Sequence, residues 1–144
     1  MGKKRIIKKS GGGYDSGLKS RSLSRTAKKK LEFGILYIRS TYNNTMLTLT
    51  DKNGDVLCFS SSGGLGFKGA RKGTPYAAAK VGELIGEKAQ QMGIVEASAV
   101  VKGIGAGRES AIRGFVSRGI NISTLRDSTP IPFNGPRPPK PRRV

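Results

Sequence analysis

Between Gly63 and Lys72 the chain interleaves Gly63, Gly64, Gly66 and Gly69 with Lys68, Arg71 and Lys72, then passes through Thr74 and Pro75. Glycine has no Cβ, so backbone N–H groups in such a loop can approach a bulky anion. Pro is pre-set for the first helical position, and a helix N-terminus favours negative charge. The chemistry that suits these residues is the holding of phosphate. A second loop, Lys102-Gly103-Ile104-Gly105-Ala106-Gly107-Arg108-Glu109, has the same make-up. The plainer reading of either loop is a glycine turn with a solvated cationic face, and their surroundings must separate the two.

Neither loop is a nucleotide motif. A G-x-G-x-x-G fingerprint would need Gly at position 108, where Arg stands, and that loop follows the fourth predicted strand rather than the first. No G-x-x-x-x-G-K-[ST] can be aligned on the first loop.

Other chemistries are narrowed by composition. With no His and a single Cys, a zinc site and a His-activated nucleophile are excluded. Cys58 has no partner for an intrachain disulfide and fits a reducing compartment. Glu83 and Glu87 lie four apart on a predicted helix and read as a solvated pair rather than an acid–base couple. The nine acids are scattered, with Asp51 and Asp55 flanking a predicted turn, so a two-metal cleavage site is disfavoured. No catalytic residue, metal or cofactor is expected.

The charge is what points to a partner. A net charge of +18 on 144 residues, with pI ≈ 10.6, is the footprint of a protein that binds a polyanion, with nucleic acid as the default. Residues 1–30 carry eleven Lys/Arg against one acid, residues 31–126 twelve against seven, and residues 127–144 four against one. We therefore expect a basic flexible arm over 1–31, a core over 32–126 and a Pro/Arg-rich tail over 127–144. The clusters Lys3–Lys9 and Lys28–Lys30 suit phosphate contacts without sequence readout, a nuclear localisation signal being the competing reading. The start of the chain loosely resembles an organelle transit peptide, but its glycine run favours an arm that is disordered until RNA neutralises it. The arms lack the apolar face needed at a membrane surface, and no apolar run is long enough to span one.

Several elements must position the loops. Phe33–Ser40, Thr45–Asp51 and Val56–Ser61 are β-branched, aromatic and partly alternating, which predicts three strands. Asn53-Gly54 joins the second and third and predicts a type I′ hairpin turn. Asn43 and Asn44, between the first two, suit an ordinary turn, with contact to ribose or a base as the alternative. Pro75–Met92 has Ala77, Val81, Leu84, Ile85, Ala89 and Met92 on one helical face, and Gly93 supplies the stop. Ile94–Val101 predicts a fourth strand. A short helix follows with Ile112, Phe115 and Val116 inward, then a strand over Ile120–Leu125. Strand, helix, strand is a β-α-β unit, parallel and right-handed, so the fold class is α/β with a mixed five-stranded sheet and two main helices. Loops at the carboxyl ends of parallel strands share one edge, which would bring Lys68, Arg71, Lys72, Lys102 and Arg108 to separate phosphates of one folded RNA. In the tail, six prolines favour an extended run, and Arg137, Lys140, Arg142 and Arg143 suit a strap along RNA better than a ligand for a proline-binding domain.

Tyr42–Thr45 (YNNT), Gly63–Ala78 (GGLGFKGARKGTPYAA), Val101–Ser110 (VKGIGAGRES) and Asp127–Val144 (DSTPIPFNGPRPPKPRRV) together resemble the signature segments of small-subunit ribosomal protein eleven, in its bacterial or organellar form. The resemblance covers Phe33–Val144 in order. It implies a ribonuclease-H-like motif and a constituent of the small-subunit platform that bridges rRNA helices near the messenger-binding cleft. Implied partners are small-subunit rRNA and small-subunit proteins seven and eighteen, with initiation factor three and messenger RNA close by, on a bacterial, mitochondrial or plastid ribosome. The RNA-facing positions it implies are Asn43, Asn44, Lys68, Arg71, Lys72, Lys102, Arg108, Arg137 and Lys140. Ile104 and Ala106 stand where the bacterial pattern has prolines, which is expected to loosen the second loop, and Pro136 stands where Cys is typical. A general RNA chaperone and, at greater distance, a metal-dependent nuclease are the rival functions.

Overall fold

The computed structural model describes residues 14–24 and 30–143. Its strands are β1 Phe33–Ser40, β2 Thr45–Thr50, β3 Val56–Ser61, β4 Glu96–Lys102 and β5 Asn121–Asp127, and its helices are α1 Ser16–Leu23, α2 Pro75–Gln91 and α3 Arg108–Val116. They form one five-stranded sheet in the order β3-β2-β1-β4-β5. β1, β2 and β3 are antiparallel neighbours, whereas β1–β4 and β4–β5 are parallel. This is the mixed α/β sheet with two main helices that the patterning predicts.

Alternation along each strand decides which face is covered. Leu36 and Ile38 of β1 and Leu47 and Leu49 of β2 are buried against Val81, Leu84 and Ile85 of α2 and Phe115 of α3. Each such side chain contributes about 1.5–3 kcal/mol by leaving water. The two helices meet backbone to backbone. A Cβ at Gly82 would lie 2.3 Å from the Ala111 carbonyl oxygen, and one at Gly114 would lie 2.4 Å from that of Ala79. Among the described residues α2 and α3 lie on one face of the sheet and leave the opposite face open.

The helix and strand ends differ from the periodicity where capping takes residues away. Gly93 has φ +82, its N–H donates to Gln90 O, and the Ile94 N–H donates to Ala89 O at 3.0 Å. This is the Schellman closure of α2, with Ile94 as its buried apolar residue, so β4 starts at Glu96 and not at Ile94. β5 likewise starts one residue later than expected and runs on to Asp127. Val116, expected inward, is 42% exposed because α3 turns only Ala111, Gly114 and Phe115 fully under the sheet. The hairpin turn is not type I′. Gly54 alone in it has positive φ (+95), Gly54 N–H donates to Asp51 O, and the Asp51 carboxylate accepts from the Asn53 and Asp55 N–H groups. Asp51 is therefore a buried turn-former, and its carboxylate keeps Asn53 out of the left-handed region.

Glu83 and Glu87 are not a free solvated pair. Glu83 bonds Lys80 and Arg118, and Glu87 bonds Arg118 at 3.0 Å and Lys19 at 2.6 Å. The last pair ties α1 to α2, and the Glu87 hydrogen bond raises the Lys19 pKa. Inside the expected disordered arm, then, Ser16–Leu23 is helical. Asp15 caps it, and the Asp15 N–H donates to Leu65 O at 3.0 Å. Lys3–Lys9 lies outside the described residues, as do Lys28 and Lys29 of the second cluster.

Candidate nucleic-acid interface

β3 runs opposite to β2, which runs opposite to β1, so β1, β3, β4 and β5 all point the same way. Their carboxyl ends define one rim of the sheet, and from it leave the 41–44 turn, the 62–74 loop, the 103–107 loop and the tail. Both glycine loops thus leave from a common edge, as the β-α-β reading requires.

The loops are also locked to one another. Ser62 N–H donates to Thr45 O at 3.0 Å, and its hydroxyl accepts from the Thr45 N–H. Gly105 N–H donates to Ser40 O at 3.0 Å, and Gly103 N–H donates to the Thr129 hydroxyl at 3.2 Å. A Cβ would sit 2.2 Å from Tyr42 O at Gly73, 2.1 Å from Ser40 O at Gly103, 2.3 Å from Thr41 O at Gly105 and 2.4 Å from Thr45 Oγ1 at Gly107. At the first three positions glycine admits the protein's own backbone, and at Gly107 it admits the side chains of Thr45 and Ala78. Gly69 is different: its φ is +60 and, among the described residues, nothing lies within 4 Å of where a Cβ would stand. It turns the backbone between Lys68 and Arg71 in open space.

The two helix starts on this rim differ as well. Thr74 caps α2, its hydroxyl accepting from the Ala77 N–H at 3.3 Å and donating to Arg71 O at 2.7 Å. Gly107 stands at the N-cap of α3 and offers no side-chain cap, which leaves the first N–H groups as the open, positive end, with Glu109 in the first turn as a partial counterweight.

Lys68, Arg71 and Lys102 are exposed on the rim, and Lys72 is half-buried, its Cδ 3.5 Å from where a Gly63 Cβ would stand. Asn43 is exposed and Asn44 half-buried in a turn closed by Thr41 N–H to Asn44 O at 2.8 Å, the ordinary turn the sequence favours. Arg108 is half-buried and already has partners within the chain. Its guanidinium donates to Gly103 O and to the Asp127 carboxylate. Asp127 also accepts from the Thr129 hydroxyl and N–H, and these bonds, with Arg108, hold its pKa down at about 2. The second loop, expected to be loose for want of prolines, is pinned by Arg108, Ser40 and Thr129. Arg137, Lys140, Arg142 and Arg143 are exposed on a tail without regular structure. Two exposed strand cations, Arg39 and Arg126, are not among the expected site residues. Arg39 sits beside Lys102 in register, a placement visible from its parity with Tyr37 rather than with Leu36 and Ile38.

Among the described residues no group of three or more His, Cys, Asp or Glu is gathered as metal ligands would be, and no helix is long and apolar enough to cross a membrane.

An α/β sheet with its cationic loops on one rim and basic segments at both chain ends defines a nucleic-acid-binding protein. The family is specific: the model of Ribosomal protein S11 matches residues 34–143, and the chain belongs to that family. It is accordingly an RNA-binding structural protein of the small ribosomal subunit, located on the ribosome, where it acts in translation among rRNA and other small-subunit proteins.

Proposed function

We propose that this chain lies in the platform of the small subunit, near the messenger-binding cleft, and bridges rRNA helices there through its rim and its basic ends. Lys68, Arg71, Lys72 and Lys102 hold separate phosphates from the rim. Asn43 and Asn44 meet RNA from the adjoining turn, and Arg137, Lys140, Arg142 and Arg143 lay the tail along it. Arg108 acts indirectly, by fixing the second loop against Asp127. Small-subunit proteins seven and eighteen are neighbours, with initiation factor three and messenger RNA close by. The ribosome is bacterial, with a mitochondrial or plastid one as the alternative. The role is architectural, with no catalytic step and no cofactor.

The observation that carries this reading is the convergence of four strand ends on one edge, from which the cationic loops and the basic tail all emerge. The test is the double variant Arg71→Ala, Lys72→Ala, assayed on a small-subunit rRNA fragment across a salt series. Each lost phosphate contact should flatten the slope of log K against log salt by about 0.7–0.9. An unchanged slope means that the loop does not touch phosphate. Equal affinity for any RNA of the same length, with no footprint on particular helices, would make the protein a general chaperone instead.

A further inference from the structure

The open face of the sheet is not bland. Register places Phe59, Thr48, Tyr37, Val100 and Arg126 in one row across all five strands. The next row toward the rim holds Ser61, Met46, Arg39 and Lys102. Phe59 is 68% exposed and Met46 42% exposed, and Arg39, Lys102 and Arg126 are exposed too. A groove of about 630 Å³ runs between the rows, lined by Tyr37, Arg39, Met46, Thr48, Val100 and Lys102 and reaching Pro130 at the root of the tail. Neither row contains an acid. Glu96 lies on this face only at the far end of β4, beside Phe33.

We infer that this face is a stacking platform for an unpaired stretch of RNA, a loop or bulge whose bases lie on Phe59 and Tyr37 while Arg39, Lys102 and Arg126 neutralise its phosphates. The inference rests on the rRNA reading above and extends it from the rim to the sheet. Three observations select RNA over a protein surface. The two rings are two strands apart, roughly 10 Å, separated by Thr48 rather than joined into one apolar patch. Cations flank them without acids, which suits a polyanion and would repel the basic segments common to rRNA-binding proteins. Lys102 belongs at once to this face and to the rim, so a strand leaving the rim can continue down the sheet. Aromatic rings on a sheet stack bases regardless of sequence, and cations beside them follow the backbone.

The experiment uses the full chain with dodecauridylate as the single-stranded probe, followed by fluorescence anisotropy over a salt series. Phe59→Ala should weaken binding at least about fivefold with the salt slope unchanged, because a stacked base is lost and no phosphate contact with it. Tyr37→Leu, which keeps the bulk of a half-buried side chain, should act the same way. Arg39→Gln should instead flatten the slope. A strand carrying 5-iodouridine should crosslink to Phe59 or Tyr37. If both ring variants bind like the parent and crosslinks fall only on the rim, the inference is wrong. It is equally wrong if ring variants leave RNA binding intact but release a protein from reconstituted subunits. Loss of slope in the Arg71/Lys72 double variant with unaltered ring variants would sink this inference alone. No change in any variant would sink the rRNA reading with it.

Discussion

Replacing Gly103 by Ala tests whether the rim is held by glycine-permitted packing. The new Cβ would stand 2.1 Å from Ser40 O, where carbon and oxygen normally rest at about 3.3 Å or more, so the β1 end and the second loop must part by roughly 1.2 Å. Left-handed backbone at φ +98 costs a residue with a Cβ about 1–2 kcal/mol. A forced backbone shift in packed surroundings costs about 1–3 kcal/mol. The hydrogen bond from Gly105 N–H to the same Ser40 carbonyl is worth about 1 kcal/mol and would be stretched. The total is about 3–6 kcal/mol, a large part of the roughly 5–15 kcal/mol that stabilises a typical domain. Gly69→Ala is the internal comparison, since it carries the strain of φ +60 in open space and no clash. In urea and thermal unfolding Gly69→Ala should lower Tm by about 4 °C per kcal/mol lost, that is by one or two such steps, and Gly103→Ala by three or more. Equal loss in the two variants would refute the packing account and leave backbone conformation as the sole reason for glycine at position 103.

Two further outcomes follow from titratable groups. The folded pKa of Asp127, about 2, lies below its unfolded value of about 3.9, so its bonds to Thr129 and Arg108 stabilise the protein above pH ~4 and are lost as pH falls toward 2. Urea midpoints of the parent and Asp127→Asn should therefore differ at pH ~5 and converge on acidification, and a constant gap would contradict it. Lys88 is 4% exposed, and burial lowers its pKa from 10.5 against an opposing pull from Cys58, so its ammonium is held in the fold at a cost. Lys88→Met keeps the apolar stem and should raise Tm at neutral pH, with the advantage shrinking as pH approaches the unfolded lysine value. A lower Tm at neutral pH would show that the charge is wanted there.

The strands were legible because alternation is a local property: Leu36 and Ile38 against Tyr37 and Arg39 already mark the two faces of β1. Thr74, Pro75 and Gly93 likewise announce the ends of α2 without reference to anything distant. What the chain does not display is competition for a residue. Ile94 suits a strand as well as a helix closure, and only the seat beneath α2 decides for the closure. Asn53-Gly54 suits a primed turn until the Asp51 carboxylate takes the neighbouring N–H groups. The glycines of the second loop were the hardest to read, since a close approach by Ser40 or Thr41 across the sheet leaves no mark in Gly103–Gly107 that a phosphate would not leave too. Arg108 shows the same limit, its long side chain being free to face solvent or Asp127 until β5 sets the carboxylate in place.

Thr129 and Ser128 root the tail at the rim, through Gly103 N–H and Val101 O. Residues 130–143 are therefore on a short leash. A flexible chain of that length explores roughly 20 Å around its anchor, and an extended proline-rich one reaches about twice as far. If the rim docks on RNA as proposed, Arg137 to Arg143 would search for phosphates at an effective concentration near the millimolar range. Individually weak contacts would then become intramolecular events, and lengthening the leash with a flexible insert after Pro130 would weaken the assembly without removing a single charge.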